Sequence, residues 1–136
     1  MRVVIIEDEI FAARRLENML RGYNPGIEVA ATLESVKESI AWFRSNKEPD
    51  LIFLDIHLED DLSFTIFREV SISCPIVFTT ATDELATRAF KLRKIDFLLK
   101  PIMQNDLNAM IDKYLDHPKH SKAIDPDIFN DIVTNR

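Results

Sequence analysis

The chain has 136 residues, a hydrophobic fraction of 46% and a formal net charge of −6, a composition typical of one globular domain with a substantial core. The acidic balance argues against nucleic-acid binding by this chain alone, and no apolar run approaches the roughly 18 residues that a membrane span requires. The first apolar run begins too close to Met1 to leave room for a secretory signal, so we expect a cytoplasmic protein with no membrane association. The single cysteine, Cys74, agrees with that compartment because it allows no intrachain disulfide.

Apolar runs alternate with helical periodicity about five times along the chain, which predicts an α/β domain. The predicted strands cover residues 3–6, 27–31, 51–54, 76–79 and 95–99. The predicted helices bury residues at spacings of three and four: Ala12, Ala13, Leu16, Met19 and Leu20; Val36, Ile40 and Phe43; Leu62, Ile66, Phe67 and Val70; Leu85, Ala89 and Leu92; Leu107, Met110, Ile111 and Tyr114. Helix two begins with a sequence resembling a capping box, Ser35 with Glu38, and Asp83 is a suitable cap for helix four.

The stretch over residues 117–122 is polar and contains proline, and its few apolar residues have no regular spacing. This composition predicts a linker. We therefore predict a domain over residues 1–117, followed by a linker over 118–136 with a possible short helix. The apolar stripe of that helix is too short to be stable alone. It could dock on this domain, on a second copy or on a following domain.

Carboxylates follow two of the predicted strands. The apolar run 51–54 leads directly into Asp55, and the first strand leads into Glu7, Asp8 and Glu9. Parallel sheets bind ligands at the carboxyl ends of their strands, and crowded carboxylates are tolerable where a hard cation neutralises them. Mg²⁺ is the natural candidate, with Asp8, Asp55 and a backbone carbonyl as ligands and Glu7 holding a metal-bound water.

A carboxylate beside Mg²⁺ can also be a nucleophile towards phosphorus, which makes Asp55 the candidate for an aspartyl phosphate. Thr80 after strand four and Lys100 after strand five could then contact phosphoryl oxygens. Taken singly, Thr80 is more simply a hydroxyl satisfied by backbone and Lys100 a solvated lysine; their joint placement favours a site. His57 has no histidine or cysteine at ligand spacing, so we expect only its carbonyl to matter.

These residues occur together in a known pattern: Glu7-Asp8, Asp55, Thr80-Ala81 and Lys100-Pro101. Over residues 1 to about 117, the chain closely resembles the receiver (CheY-like) domain of bacterial two-component response regulators. The resemblance implies a flavodoxin-like (βα)5 doubly wound parallel sheet with strand order 2-1-3-4-5. It also implies that Asp55 accepts a phosphoryl group from a sensor histidine kinase, with Mg²⁺ held by Asp8, Asp55 and the His57 carbonyl.

Further roles follow from the same resemblance. Asp55, Thr80 and Lys100 would catalyse the domain's own phosphorylation and dephosphorylation, although such a domain is not a conventional enzyme. Thr80 would be the switch hydroxyl, and Phe97 stands in place of the family's rotating aromatic residue. The Lys100–Pro101 bond is expected to be cis. Phosphorylation would change a surface formed by helix four, strand five and helix five, here called the output surface, and would promote a homodimer.

A narrower resemblance concerns residues 79–84 and 95–102, whose sequence is similar to that of receivers that precede a LytTR-type DNA-binding domain. This implies a regulator of transcription that contacts DNA only through an effector domain missing from this chain. One departure is the acidic run Glu59-Asp60-Asp61, which lacks the usual glycine. We expect it to add negative charge near the site, and so to slow phosphorylation or change donor access. Glu7 in place of aspartate is a mild variation.

Other classes fit less well. A haloacid-dehalogenase-type phosphatase would have a second aspartate where His57 stands, and a nucleotide binder would need a glycine-rich or Ser/Thr-rich loop after strand one. The stronger alternative is a receiver-like interaction module that binds partners through the output surface without phosphorylation.

Overall fold

The computed structural model describes residues 1–61, 63–81, 88, 90, 91 and 95–116. Its elements, in chain order, are β1 (Arg2–Ile6), α1 (Ile10–Tyr23), β2 (Glu28–Leu33), α2 (Val36–Ser45), β3 (Leu51–Asp55), a 3-10 turn (Ser63–Thr65), α3 (Ile66–Glu69), β4 (Ile76–Thr80), β5 (Phe97–Leu99) and α4 (Gln104–Asp116). Here α4 is the predicted fifth helix. The predicted fourth helix with its Asp83 cap falls mainly outside the described residues, as do Leu62 and the tail from residue 117.

The five strands form one parallel sheet in the order β2-β1-β3-β4-β5, which confirms the predicted flavodoxin-like topology. The order reverses direction between β1 and β3, and this is the switch point at which such sheets bind ligands. The register places Asp55 of β3 beside Thr79 of β4, and Thr80 beside Leu99 of β5. The carboxyl ends of these strands therefore meet at one edge of the sheet.

Each face of the sheet carries its own apolar cluster, as expected when helices cover both sides. Ile52 and Leu54 of β3 belong to the cluster that includes α2 and α3, whereas Leu51 and Phe53 belong to the cluster that includes α1 and α4. All five residues of β3 are buried, which confirms that the strand is covered on both faces. Within the described part of the chain, no helix is long and apolar enough to cross a membrane.

The helices α1 and α4 bury most of the stripes that their periodicity predicted, whereas on α2 Val36 is buried but Ile40 and Phe43 are only half-buried. On α1 the buried residues are Ala13, Leu16 and Leu20, and on α4 they are Leu107, Ile111 and Tyr114. The capping box of α2 is only half as predicted. Ser35 Oγ accepts from the Glu38 amide at 3.0 Å, but the Glu38 carboxylate accepts from the Glu34 amide at 3.2 Å rather than from that of Ser35.

Three elements differ from the sequence prediction by more than one residue at an end. β2 covers 28–33 rather than 27–31, because its pairing with β1 continues to Leu33, opposite Ile6. The third helix contains only four α-helical residues after a 3-10 turn, and it ends where Val70 adopts an extended backbone. β5 begins at Phe97 rather than Ile95, because the Ile95 amide donates to the Phe90 carbonyl at 2.9 Å and not to a neighbouring strand.

Candidate functional site

Three carboxylates converge at the switch point of the sheet. Asp55 ends β3, while Glu7 and Asp8 follow β1, and each offers an oxygen within 4.8 Å of the others. Glu7 and Asp55 are only 5% and 7% exposed, and Asp8 is half-buried. Carboxylates this close and this poorly hydrated repel each other strongly unless cations compensate them.

Lys100 supplies one compensating charge. Its amide donates to the Thr80 carbonyl at 2.8 Å, which fixes the chain as it leaves β5. Its Nζ then lies 3.0 Å from Asp55 Oδ2 and also hydrogen-bonds Glu7 Oε1. The Lys100–Pro101 bond is cis, as the resemblance implied. The lysine is thus held by two buried carboxylates rather than solvated.

The pKa values of Glu7, Asp8 and Lys100 show the effects of burial and of the neighbouring charges. Burial, and then the neighbouring Asp55, raise the pKa of Glu7 above its usual 4.5 in spite of Lys100. Burial and Glu7 likewise raise the pKa of Asp8 above 3.8. For Lys100 burial acts in the opposite sense, but its bonds to Glu7 and Asp55 raise its pKa above 10.5. One lysine among three carboxylates leaves room for a further cation.

The donor set fits Mg²⁺, because it consists of oxygens, and Mg²⁺ favours one or two carboxylates together with carbonyl or water oxygens. Asp8 and Asp55 are the carboxylates that the sequence assigned to the metal. The His57 amide donates to Asp55 Oδ1 at 3.3 Å, so the backbone at His57 lies against the predicted acceptor. The His57 side chain is exposed, in agreement with its predicted place on the loop surface.

Thr80 is the last residue of β4, the strand next to β3, and Phe97 is the first residue of β5. Thr80 is 3% exposed, and its hydroxyl donates to the Ala81 carbonyl at 2.9 Å, so in this structure the hydroxyl is satisfied locally. The Phe97 side chain is half-buried, with its ring centroid 5.6 Å from that of Phe90. Phe90 in turn stacks on Phe78 of β4 at 5.3 Å.

The acidic loop after Asp55 makes one contact that the sequence did not suggest. The Asp60 carboxylate accepts from the backbone amides of Val36 and Lys37 at 2.9 and 3.2 Å. Sequence reasoning missed this contact, since the acceptor and its first donor are 24 residues apart. The side chains of Glu59 and Asp61 are exposed.

Residues 3–112 match the family model described as the response regulator receiver domain. The sensory transduction protein LytT of Enterococcus faecalis is 34% identical over 116 residues, which are 83% of this chain and 47% of that protein. The transcriptional regulatory protein LytR of Staphylococcus aureus is 31% identical over 138 residues, 99% of this chain and 54% of that protein. The chain thus spans about half the length of the curated relatives it matches.

Solved structures agree with the sequence matches. The response regulatory domain of protein mrkE from Klebsiella pneumoniae aligns with a TM-score of 0.72 and 29% identity, covering 88% of this chain and 98% of that one. A two-component response regulator from Clostridium difficile aligns with a TM-score of 0.70 and 28% identity, covering 86% and 97% of the two chains. The sheet order, the acidic site and these matches together show that the chain belongs to the response regulator receiver family.

Proposed function

We propose that this receiver domain accepts a phosphoryl group on Asp55 from the phosphohistidine of a sensor histidine kinase. The observation that carries the proposal is the position of Asp55 Oδ2, 3.0 Å from Lys100 Nζ within the acidic cluster. A carboxylate oxygen at this position forms the new P–O bond while the P–N bond of the phosphohistidine breaks. The departing imidazole nitrogen takes up a proton.

The side chains around Asp55 have complementary tasks. Lys100 pairs with a phosphoryl oxygen once the acceptor is esterified, and it exchanges its present contact with Asp55 for that oxygen. Glu7 keeps the ammonium group at the site through its own bond to Lys100. The Thr80 hydroxyl, which now donates to Ala81, turns to donate to a second phosphoryl oxygen. Asp55, Thr80 and Lys100 are thus the groups that would touch the transferred phosphoryl.

Mg²⁺ would be held by Asp8, Asp55 and the His57 carbonyl, with Glu7 binding one of its waters. When bound, the ion offsets the negative charge on the transferring oxygens. The acidic cluster supports this assignment, because its carboxylates are short of compensating charge.

Phosphorylation would reach the output surface through Thr80 and Phe97. Movement of the Thr80 hydroxyl vacates space into which the Phe97 ring turns. The burial of the ring then changes together with the phosphorylation of Asp55. Such couplings are typically about 1 to 3 kcal/mol, or roughly 5- to 150-fold in population. We expect a phosphorylated homodimer.

The name of one relative, transcriptional regulatory protein, supports an output in gene expression, and the name of the other, sensory transduction protein, supports a role in signalling. DNA would be contacted only through an effector domain outside this chain, in the cytoplasm. Residues 1–117 would form the receiver and 118–136 the linker towards such a domain.

The test is phosphorylation by acetyl phosphate, followed by the mass of the intact protein, with Mg²⁺ present or chelated. The parent protein should gain phosphate only with Mg²⁺, and Asp55→Asn should gain none. Equal phosphorylation of Asp55→Asn would show that the acceptor is another residue. A parent protein that binds Mg²⁺ but takes up no phosphate would favour the phosphorylation-independent interaction module.

A further inference from the structure

The loop that follows Asp55 is attached to α2 by one side chain, that of Asp60. Its Oδ1 accepts from the Val36 amide at 2.9 Å, and its Oδ2 accepts from the Lys37 amide at 3.2 Å. Both oxygens of one carboxylate are therefore used, on two consecutive amides of a neighbouring element. We call this arrangement the Asp60 clamp.

The N-terminus of α2 is a favourable partner for this carboxylate. The first amides of a helix have no acceptor within the helix, and its dipole attracts negative charge. In α2 the clamp takes the Val36 and Lys37 amides, and Ser35 Oγ takes the next one, from Glu38, at 3.0 Å. Asp60 is exposed, and its slight desolvation opposes ionisation, but the hydrogen bonds from the backbone amides outweigh it and hold its pKa below 3.8.

The loop that the Asp60 clamp anchors is also held by backbone hydrogen bonds of its own and by one buried side chain. The Leu58 amide donates to the Asp61 carbonyl at 3.2 Å, and the Ser63 amide donates to the Ile56 carbonyl at 3.0 Å. Leu58 is only 7% exposed and belongs to the same apolar cluster as Val36.

His57 lies between two fixed points of this loop. On one side is Asp55, whose Oδ1 accepts from the His57 amide at 3.3 Å, and on the other are buried Leu58 and the clamp. A backbone carbonyl has no rotamer of its own, so its position depends on how the chain on both sides is held. The groups that hold a ligand carbonyl in place affect metal affinity without touching the metal.

From this arrangement we infer that Asp60 is a positioning residue for the cation site, holding the backbone at His57 beside Asp55 by anchoring the loop to the N-terminus of α2. The inference rests on the proposed function only through the role given there to the His57 carbonyl. It assigns Asp60 a task that a solvated loop aspartate would not have. It also gives α2 a direct link to the phosphorylation site.

The experiment compares the parent with Asp60→Ala, Asp60→Asn and Glu59→Gln. Asparagine keeps one side-chain oxygen that can accept a hydrogen bond, and alanine keeps none. Glu59→Gln removes one negative charge, as both Asp60 variants do, but from the adjacent exposed residue. Mg²⁺ is titrated against the ¹⁵N amide resonances of the metal-free proteins. The phosphorylation rate with acetyl phosphate is then measured at low and saturating Mg²⁺.

Asp60→Ala should weaken Mg²⁺ binding by roughly 3- to 10-fold, at or below the lower end of the effects of groups that hydrogen-bond a metal ligand directly, because Asp60 acts through the loop backbone. Asp60→Asn should fall between alanine and the parent, and Glu59→Gln should match the parent. At saturating Mg²⁺ the phosphorylation rate of all three variants should return to within about twofold of the parent rate, because Asp60 does not contact the phosphoryl group. The Val36 and Lys37 amide resonances should shift in both Asp60 variants.

Unchanged Mg²⁺ affinity in a variant whose Val36 resonance has shifted would overturn the inference, since the clamp would then be broken without consequence for the site. An equal loss in Glu59→Gln would overturn it as well, because charge alone would explain the effect. If Asp60→Ala does not fold, Asp60→Asn decides between these results. A parent that binds Mg²⁺ without gaining phosphate would refute the proposed function, while the titrations would still decide the role of Asp60.

Discussion

Replacement of Lys100 by methionine should destabilise the metal-free protein by about 1 to 3 kcal/mol at neutral pH. Removing one partner of a fully buried ion pair costs about 3 to 5 kcal/mol, because a buried charge is left uncompensated. The Glu7 and Asp55 side chains are almost fully buried, with only 6% and 10% exposed, but the Lys100 side chain is 28% exposed. The expected loss is therefore smaller than that of a fully buried pair. The pKa of Glu7 is already raised by burial, so this carboxyl can also take up a proton and limit the loss.

The measurement is urea unfolding of the parent, Lys100→Met and Lys113→Met, with divalent ions chelated. Lys113 is the matched control, because it also pairs with an aspartate, Asp96, at 2.8 Å, but its side chain is 46% exposed. A pair of that kind contributes below about 1 kcal/mol. Added Mg²⁺ should recover part of the loss in Lys100→Met, since a ligand that binds only the folded state stabilises it. If Lys100→Met loses no more stability than Lys113→Met, the Lys100 contacts do not compensate the buried carboxylates.

Three further predictions concern other parts of the site and fold. Asp8→Ala should lower Mg²⁺ affinity by at least about ten-fold, measured by titration, because one of few charged ligands is lost. Thr80→Ala should still gain phosphate on Asp55, but sedimentation with beryllofluoride and Mg²⁺ should no longer show the parent's increased self-association. Burial, and then its hydrogen bond to Asp96, raise the pKa of Tyr114 above 10.0. The neutral hydroxyl therefore stabilises the folded state fully below pH 10, and this stabilisation is lost at higher pH. Tyr114→Phe should therefore lose about 1 kcal/mol in urea unfolding at pH 7. Its difference from the parent should shrink above pH 10. Tyr23→Phe should show smaller effects, because the Tyr23 hydroxyl also donates to a carboxylate, that of Asp112, but on an exposed side chain.

The strand ends and the acidic cluster could be predicted because each follows from local pattern, whereas the sheet order was implied by the family resemblance. An unbroken apolar run predicts a strand covered on both faces, and β3 delivers Asp55 to the sheet edge as that run required. Parallel strands then bring their carboxyl ends together whatever the loops do. Asp8 and Asp55 therefore come together although 47 positions separate them in the sequence.

The features that could not be predicted depend on contacts between distant residues. The Asp60 clamp joins a loop to a helix that precedes it by 24 residues, and nothing in the sequence around Asp60 distinguishes it from the acidic residues on either side. The hydrogen bond between Glu7 and Lys100 also joins distant residues. It was missed because the sequence prediction gave Glu7 only a role in holding a metal-bound water. The third helix was overestimated because apolar spacing does not distinguish an α-helix from the 3-10 turn at Ser63–Thr65, and because the backbone is already extended at Val70.

The most direct test of the central claim is chemical trapping of the acyl phosphate. After phosphorylation by acetyl phosphate with Mg²⁺, borohydride reduces an aspartyl phosphate to homoserine, and peptide mass mapping then locates the reduced residue. We predict homoserine at position 55, and its absence when Mg²⁺ is chelated or Asp55 is replaced by asparagine. Homoserine at another position, or none in a parent protein that binds Mg²⁺, would contradict the assignment of Asp55 as the phosphoacceptor.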